Sequence, residues 1–240
     1  MMGRVFVVGD IHGCAAELEA LLAGLPLAAG DTFVCVGDYL DRGPDSRRVL
    51  DLLIALRDER RDIHTVFLKG NHEDMALGFL FRRGRWGESW MLNGGAATVR
   101  SYGVDARAES AEIAVAMPPP HLEFLDRLIT THTADTHLLV HAGVRPDRPL
   151  DEQREEDLLW IRDEFVVAPH VLPMTVVFGH TPHREVFVDL PYKIGIDTGC
   201  VYGGMLTCLE LSGRDLFQVR LNERQVRHAK LREGGLRRTG

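Results

Sequence analysis

The sequence has few cysteines. None of the four is spaced as a CxxC pair, so the chain lacks this pattern, which is typical of thiolate metal sites and redox motifs. Cys35 and Cys208 lie in apolar runs, where a buried free thiol is expected. Unpaired thiols fit a reducing environment, and we therefore predict a cytoplasmic protein.

Long apolar runs and an excess of positive charge are also missing. No stretch approaches the roughly 20 apolar residues of a membrane-spanning helix, and no charged start is followed by a long apolar segment. The net charge of −7 argues against nucleic acid as a partner for the surface as a whole. Small anions are not excluded, because bound metal ions can dominate one local site. We expect no membrane and no nucleic-acid partner, and a monomer is compatible with the sequence.

The first third of the chain repeats one pattern three times. An apolar run predicts a strand over residues 4–8, 32–36 and 65–69, and each run is followed by a polar loop and a helical segment. Two of the predicted helices carry apolar residues at i, i+3, i+4 and i+7, namely Leu18, Leu21, Leu22, Leu25 and Val49, Leu52, Leu53, Leu56. Pro44 and Asp45 suit the start of the second helix, and the third is predicted around residues 73–83. This order indicates a βαβαβ unit with parallel strands, in which ligands bind at the carboxyl ends of the strands.

The rest of the chain departs from this rhythm. Glycines and a triple proline over residues 84–120 indicate a helical insertion or cap within one domain spanning residues 1–220. Four further apolar runs predict strands in a second half, beginning near residues 136, 175, 193 and 205. Basic residues dominate the end of the chain, so residues 221–240 are interpreted as a solvated basic tail.

Polar side chains follow five of the predicted strands, namely Asp10, His12, Asp38, Asn71, His72, His141 and His180. Oxygen and nitrogen ligands without thiolate suit Mn²⁺, Fe or Zn²⁺. One metal that also does chemistry rarely needs so many protein ligands, so two metals sharing a carboxylate fit better, at the roughly 3.5–4 Å separation of two-metal sites. Taken singly, each residue could be a turn, cap or core residue. Their joint placement predicts a metal site.

Five motifs resemble, in order, the signature of the metallophosphoesterases: GDIHG (9–13), GDYLDRG (37–43), GNHE (70–73), HAG (141–143) and GHT (179–181). More narrowly they resemble the phosphoprotein Ser/Thr phosphatases of the small bacterial and phage (lambda-type) branch. That branch is also resembled by SWMLNGG (89–95), LLWIR (158–162) and IDTGCVYGG (196–204). The resemblance implies a calcineurin-like α/β (α+β) fold, with a central β-sandwich of two mixed sheets flanked by helices.

The resemblance also implies a ligand set for two divalent metal ions, with Mn²⁺ preferred over Fe or Zn²⁺. The first ion would be held by Asp10, His12 and Asp38. The second would be held by Asp38, Asn71, His141 and His180, so that Asp38 bridges the pair. The reaction implied is direct attack on phosphorus by a hydroxide that bridges the two metals.

Four further residues take catalytic roles by the same resemblance. Arg42 and Arg162 would clamp the phosphate, since each presents a planar fork of donors, and His72 would be the general acid, oriented by Asp41. The alternative for Asp41 and Arg42 is a surface ion pair, which contributes little. The alternative for Arg162 is the solvated end of an apolar, helix-like run.

The function predicted is a metal-dependent phosphomonoesterase, most specifically a protein Ser/Thr phosphatase acting on a phosphorylated protein or a small phosphoester. The alternative on the same scaffold is a dinucleoside polyphosphate hydrolase of the diadenosine tetraphosphate type. Such hydrolases typically have Ala in place of Asp41 and GNHD in place of GNHE, and both differences favour the phosphatase. A third interpretation, an inactive phospho-ligand-binding module, is opposed by intact candidates for every metal ligand and for His72.

Overall fold

The structure is a computed structural model that describes residues 3–231 and contains two β-sheets packed face to face. The first sheet has six strands, in the spatial order β11–β10–β9–β1–β2–β3. Strands β1, β2 and β3 are parallel, whereas β9, β10 and β11 are antiparallel to their neighbours. The strands are β1 (Val5–Val8), β2 (Thr32–Cys35), β3 (His64–Phe67), β9 (Met205–Glu210), β10 (Asp215–Arg220) and β11 (Val226–Lys230).

The second sheet has five strands in the order β4–β5–β6–β8–β7, and it is also mixed, because β5, β6 and β8 run parallel between antiparallel edges. Its strands are β4 (Thr131–Ala134), β5 (His137–Val140), β6 (Thr175–Phe178), β7 (Phe187–Asp189) and β8 (Lys193–Gly195). The helices are α1 (Ala15–Gly24), α2 (Ser46–Glu59), α3 (Asn71–Phe81), α4 (Gly95–Ser101), α5 (Ser110–Ala116), α6 (Pro119–Asp126), α7 (Glu155–Trp160) and α8 (Asp163–Val167). No helix within residues 3–231 is both long enough and apolar enough to span a bilayer.

Alternating side chains divide the apolar core into three layers. In β1, Phe6 and Val8 pack beneath α1, α2 and α3, whereas Val7 packs between the two sheets. In the second sheet Leu139 faces the first sheet, and its neighbours Leu138 and Val140 pack on the other side with residues of α7 and α8. A strand buried on both faces is expected to be apolar throughout. The fold therefore has four layers of secondary structure, in the order helices, sheet, sheet and helices, with one apolar cluster between each neighbouring pair.

This architecture confirms the predicted sandwich of two mixed sheets flanked by helices. The three strand–loop–helix units and their parallel pairing are also present, and Asp45 caps α2 by accepting from the backbone N–H of Arg48. Helix α3 begins at Asn71, two residues earlier than expected. Four strands (β4, β7, β10 and β11) were not predicted. Three of them (β4, β7 and β11) are edge strands and β10 lies next to an edge, where only one neighbour or one face has to be satisfied and the apolar pattern is weak.

The segment interpreted as an insertion contains α4, α5, the first two residues of α6 and two turns of 3₁₀ helix, over Gly87–Ser89 and Met91–Asn93. Its buried side chains, including Trp90, Val99 and Ile113, belong to the same apolar cluster as those of α1, α2 and α3. The segment is helical and is packed on the main core rather than on a core of its own.

The interpretation of residues 221–240 as a solvated tail is wrong for the part that the structure describes. Residues Val226–Lys230 form β11, which pairs with β10 through the backbone, and Val226 packs against the apolar cluster under α1. The basic side chains of β11 are exposed, as is usual for the charged edge strand of a sheet. This edge strand was not predicted because most of its side chains are charged or polar. Residues 232–240 lie outside the described residues.

Candidate active site

The predicted site residues come together beyond the carboxyl ends of the central strands, in loops, at the start of α3 (Asn71 and His72) and between α7 and α8 (Arg162). Five of them, His12, Asp38, Asp41, Arg42 and His180, have φ between 45° and 75°. The left-handed region is costly for residues other than glycine, by about 1–3 kcal/mol each, and it persists only where the surroundings enforce it. Half of the ten non-glycine residues with positive φ in the described chain are therefore predicted site residues, which is the distribution expected of a functional site.

Two motif glycines leave room for carboxylates. A Cβ added at Gly70 would lie 2.2 Å from Oδ1 of Asp38, and one added at Gly179 would lie 2.1 Å from Oδ1 of Asp10. No real Cβ approaches an oxygen so closely, so these positions exclude any side chain. The glycines of GNHE and GHT are thus explained by the close approach of Asp38 and Asp10.

Four predicted ligands of one metal converge on a small volume. Nε2 of His141 and Nδ1 of His180 each lie 2.9 Å from Oδ1 of Asn71 and 3.2 Å from each other. Oδ1 of Asp38 lies 3.4 Å from Nε2 of His141. All four side chains are buried. Asp38, His141 and His180 form one of the groups within residues 3–231 that could hold a metal ion.

The hydrogen bonds on the far side of the rings decide whether this group suits a cation. Nδ1 of His141 lies 3.0 Å from the carbonyl oxygen of Val36, so it carries the proton and Nε2 presents a lone pair to the cluster. His12 is held in the same way, with Nδ1 2.8 Å from the carbonyl oxygen of Leu40. Lone pairs that converge with amide and carboxylate oxygens repel one another unless a cation lies between them. The residues present therefore fit a metal site.

The other side of Asp38 provides a second group. Oδ2 of Asp38 lies 3.3 Å from Nε2 of His12 and 4.0 Å from Nε2 of His72, and these three residues could also hold a metal ion. Asp38 thus belongs to both groups, as a bridging carboxylate would. Asp10 lies outside this second group. Both of its carboxylate oxygens accept from the backbone N–H of His180 at 3.1 Å.

Burial and neighbouring carboxylates raise the pKa values of the site carboxylates, more than Arg42 lowers them. Burial raises the pKa of Asp10 well above its usual value, and the nearby Asp197 and Asp38 raise it further. The pKa of Asp38 is raised by burial and then by Glu73. Asp197, which lies in the IDTGCVYGG motif (196–204), is packed against the carboxylate of Asp10. Clustered carboxylates of this kind are the charge environment that a divalent cation neutralises.

The histidines are perturbed in the sense that suits ligands. Burial lowers the pKa of His141 to about 3. Burial also lowers the pKa of His12, with smaller contributions from His72 and Arg42, and lowers that of His180, with a contribution from His141. A neutral imidazole is the form that binds metals. These three side chains are therefore held ready in the ligand state.

His72 and Asp41 form a buried pair beside the metal-site groups. Nδ1 of His72 lies 2.6 Å from Oδ2 of Asp41, and both side chains are almost completely buried. Burial lowers the pKa of His72, and burial raises the pKa of Asp41 to about 7. Nε2 of His72 points towards Asp38. One proton held between Nδ1 and Asp41 fixes the ring with Nε2 facing the cluster.

Two residues that the sequence did not single out orient Asp41. Trp90 donates its indole N–H to the Asp41 carboxylate, at 3.0 and 2.9 Å, and Thr98 donates its hydroxyl to Oδ1 at 2.6 Å. The backbone N–H of Asp41 donates to the hydroxyls of Thr98 and Ser46. The alternative of a surface ion pair does not describe Asp41, which is fully buried. A tryptophan in a glycine-rich segment was the signal for Trp90 that the sequence offered.

The two arginines lie at the edge of the cluster. Arg42 donates from Nη1 to Nε2 of His12 at 2.6 Å, and its guanidinium lies 5.5 Å from the centre of the exposed Tyr202 ring. Arg162 is exposed and donates from Nη1 to the carbonyl oxygen of His180 at 2.9 Å. Arg162 is therefore solvated, as the alternative interpretation expected, but its guanidinium also reaches the site. Both arginines retain donors for a further anion.

Glu73 holds the loop that carries Asp38. Its carboxylate accepts from the backbone N–H groups of Asp38, Tyr39, Leu40 and Gly70, at 2.9 to 3.1 Å. Four donors on one fully buried carboxylate fix both the GDYLDRG and the GNHE loop. In the sequence analysis Glu73 served only to distinguish GNHE from GNHD. In the structure it positions Asp38, the carboxylate shared by the two metal-binding groups.

We expect Glu73→Gln to lower the free energy of unfolding by about 2 kcal/mol, because the amide N–H₂ would face backbone donors and leave them unpaired. Thermal denaturation of the metal-free protein measures this loss. Glu88→Gln, at an exposed position, is the matched control and should change stability by less than about 0.5 kcal/mol. An equal Tm for the two variants would contradict the role assigned to Glu73.

The sequence and the fold both have known relatives. The chain matches the calcineurin-like phosphoesterase family over residues 3–203. It is 36% identical over 218 residues to serine/threonine-protein phosphatase 1 of Salmonella typhimurium, an alignment that covers 85% of this chain and 90% of that protein. It is 29% identical over 243 residues to the asymmetrical bis(5′-nucleosyl)-tetraphosphatase PrpE of Geobacillus thermodenitrificans, covering 86% and 89% of the two chains.

Solved structures show the same relationship. A crystal structure of a protein proposed to be a diadenosine tetraphosphatase superposes with a TM-score of 0.69 at 30% identity, covering 92% of this chain and 95% of that one. The structure of a cold-active protein tyrosine phosphatase, at 18% identity and a TM-score of 0.63, shares the fold over 95% of this chain and 79% of its own. The ordered motifs, the paired metal-binding groups and these similarities agree. The chain belongs to the calcineurin-like phosphoesterase family and is a metallophosphoesterase.

Proposed function

We propose that this metallophosphoesterase is a protein phosphatase that hydrolyses phosphoserine and phosphothreonine. The observation that carries the proposal is the buried pair of His72 and Asp41, with Nδ1 2.6 Å from Oδ2. Trp90 and Thr98 are arranged to hold the Asp41 carboxylate in this position. Such a construction is needed where a leaving group requires a proton.

The leaving group distinguishes the two candidate substrates. Serine and threonine leave as alkoxides, which are strongly basic and must be protonated as the P–O bond breaks. A nucleotide leaves a dinucleoside polyphosphate as a phosphate oxygen, whose second pKa of about 6 makes it a good leaving group without an acid. A positioned acid contributes about 10²–10⁴-fold only where the proton is needed. The His72–Asp41 pair therefore favours a phosphomonoester of an alcohol.

The other residues have roles that follow from their positions. Asp10, His12, Asp38, Asn71, His141 and His180 would hold two divalent metal ions, with Mn²⁺ as the proposed pair. When bound, the metals would supply Lewis acidity towards water and the phosphoryl oxygens. Arg42 and Arg162 present planar forks of donors to the phosphoryl group from the edge of the site. His72 would deliver a proton from Nε2 to the leaving oxygen; this requires the doubly protonated ring, which the Asp41 carboxylate at Nδ1 and a bound phosphate dianion favour in the substrate complex.

Hydrolysis of dinucleoside tetraphosphates is the second candidate, because the relative from Geobacillus thermodenitrificans carries that name and one structural neighbour is proposed to have that activity. The two activities share the metal site and differ in the leaving group. A direct comparison of substrates therefore decides between them.

Purified protein supplied with Mn²⁺ is expected to release phosphate from phosphoserine and phosphothreonine peptides with a kcat/KM at least about tenfold above that for diadenosine tetraphosphate. Phosphate release and nucleotide chromatography measure the two reactions at equal metal concentration. His72→Ala serves as the control for contaminating phosphatases. The reverse preference would establish the tetraphosphatase instead.

A further inference from the structure

A second cluster of cations lies next to the metal-site loops, in a groove of about 610 Å³ between α7, α8 and the loop after β5. We call it the basic groove and define it by Arg148, Arg154 and Arg162. Arg162 also reaches the site, through its bond to the carbonyl oxygen of His180. Arg162 thus links the groove to the loop that carries His180.

Three of the four arginines that line the basic groove have no ion-pair partner within the described residues. A fourth arginine, Arg145, is paired with Asp157 at 2.9 Å and with Glu164 at 2.6 Å. Glu156 is paired with Arg85. Within residues 3–231, Arg148, Arg154 and Arg162 take part in no ion pair. Asp163 is the one lining acid left to oppose them in that part of the chain. The lining holds four arginines and four acids, so the groove is distinguished by three guanidinium groups without an ion-pair partner in the described chain rather than by its net charge.

The loop that carries these arginines is held in place. Oε1 of Gln153 accepts from the backbone N–H of Arg145 at 2.7 Å, and its Nε2 donates to the carbonyl oxygens of Arg145 and Arg148, at 2.9 Å each. One half-buried side chain therefore ties the start of α7 to the loop after β5. Backbones fixed in this way lose less entropy when the arginines bind a ligand.

We propose that the basic groove binds acidic residues next to the phosphorylated residue of a peptide substrate, so that Arg148 and Arg154 determine specificity. This inference rests on the proposed phosphoprotein activity. A carboxylate side chain matches the guanidinium fork. Arg148 and Arg154 have no partner and line the same groove as Arg162, so they would add binding energy for a substrate that carries a second negative charge next to its phosphate. The pairs form equally in the ground state and the transition state, so their effect falls on KM.

Two phosphoserine peptides test the proposal, one with flanking aspartates and one with asparagines in their place. In Arg148→Ala/Arg154→Ala the KM for the acidic peptide should rise about three- to tenfold, as expected for two exposed charge pairs. Its kcat, its KM for the neutral peptide and its KM for p-nitrophenyl phosphate should stay unchanged. Arg61→Ala is the control, since this exposed arginine precedes β3, at the sheet edge opposite the site. An equal rise for both peptides, or no rise, would overturn the proposal.

Charge reversal gives a readout that a purely structural role would not produce. Arg148→Glu/Arg154→Glu should prefer a peptide with flanking lysines, and the preference of the wild type for acidic flanks should weaken with salt. A phosphate chain is another ligand with a second negative charge, and diadenosine tetraphosphate tests whether the groove binds it. If Arg148→Ala/Arg154→Ala raises KM only for that compound, the groove binds a phosphate chain and the peptide proposal fails. If the wild type leaves even the neutral phosphopeptide intact, the proposed function itself has failed.

Discussion

Asp41→Asn is expected to lower kcat for a phosphoserine peptide by about 10²–10⁴-fold, the contribution typical of a positioned general acid. The amide has the same shape as the carboxylate and can still accept from Trp90 and Thr98. It lacks the charge that fixes the proton on Nδ1 of His72 and supports the protonated ring. Steady-state kinetics and metal analysis of the same preparation measure the effect. Metal content should stay near two per chain, because Asp41 lies behind His72 and outside both metal-binding groups.

The loss should depend on the leaving group. p-Nitrophenolate is a weak base and departs without a proton, so Asp41→Asn should retain far more of its activity on p-nitrophenyl phosphate than on the peptide. Thr98→Val removes a hydroxyl that donates to Asp41 and should produce a smaller loss with the same dependence. Equal losses on both substrates would assign Asp41 to the binding of metal or phosphate rather than to proton transfer.

Asp38→Ala should have the largest effect of any single substitution, a fall of at least about 10⁴-fold in kcat/KM, because the uncatalysed reaction is extremely slow and the metals would supply most of the activation. Asp38 contributes one carboxylate oxygen to each metal-binding group. Its removal should therefore lower the affinity for both ions together. Metal analysis should find well under one ion per chain, whereas loss of a single ion would contradict the bridging role.

Thermal denaturation separates metal loss from misfolding. Mn²⁺ at about 100 times its Kd stabilises a protein that binds it only when folded by about 2.7 kcal/mol per site. The wild type should therefore gain Tm when Mn²⁺ is added, and Asp38→Ala should not. Asp31→Asn is the matched control, since Asp31 is a buried carboxylate that pairs with Arg4. It lies just before β2, at the amino ends of the strands and so opposite the site. This variant should keep its response to Mn²⁺ whatever its stability.

The sequence predicted the central strands and the site loops because their signals are local. A strand buried on both faces is apolar throughout, and the residue that follows it is fixed in space by the strand. Asp10, Asp38 and His141 could therefore be placed at one sheet edge from their positions after apolar runs. The edge strand β11 was missed because a strand with one exposed face and one neighbour can be mostly charged.

What only the tertiary structure decided is how residues distant in the chain orient the site. The indole N–H and the hydroxyl that hold Asp41 come from Trp90 and Thr98, which are 49 and 57 residues away. The charge balance of the basic groove depends on which arginines find carboxylates: Arg145 does, whereas Arg148 and Arg154 do not within the described chain. The sequence by itself determined the chemistry of the ligands, because residue type and strand ends are local properties. Pairing depends on distance through space, which the order of residues does not contain.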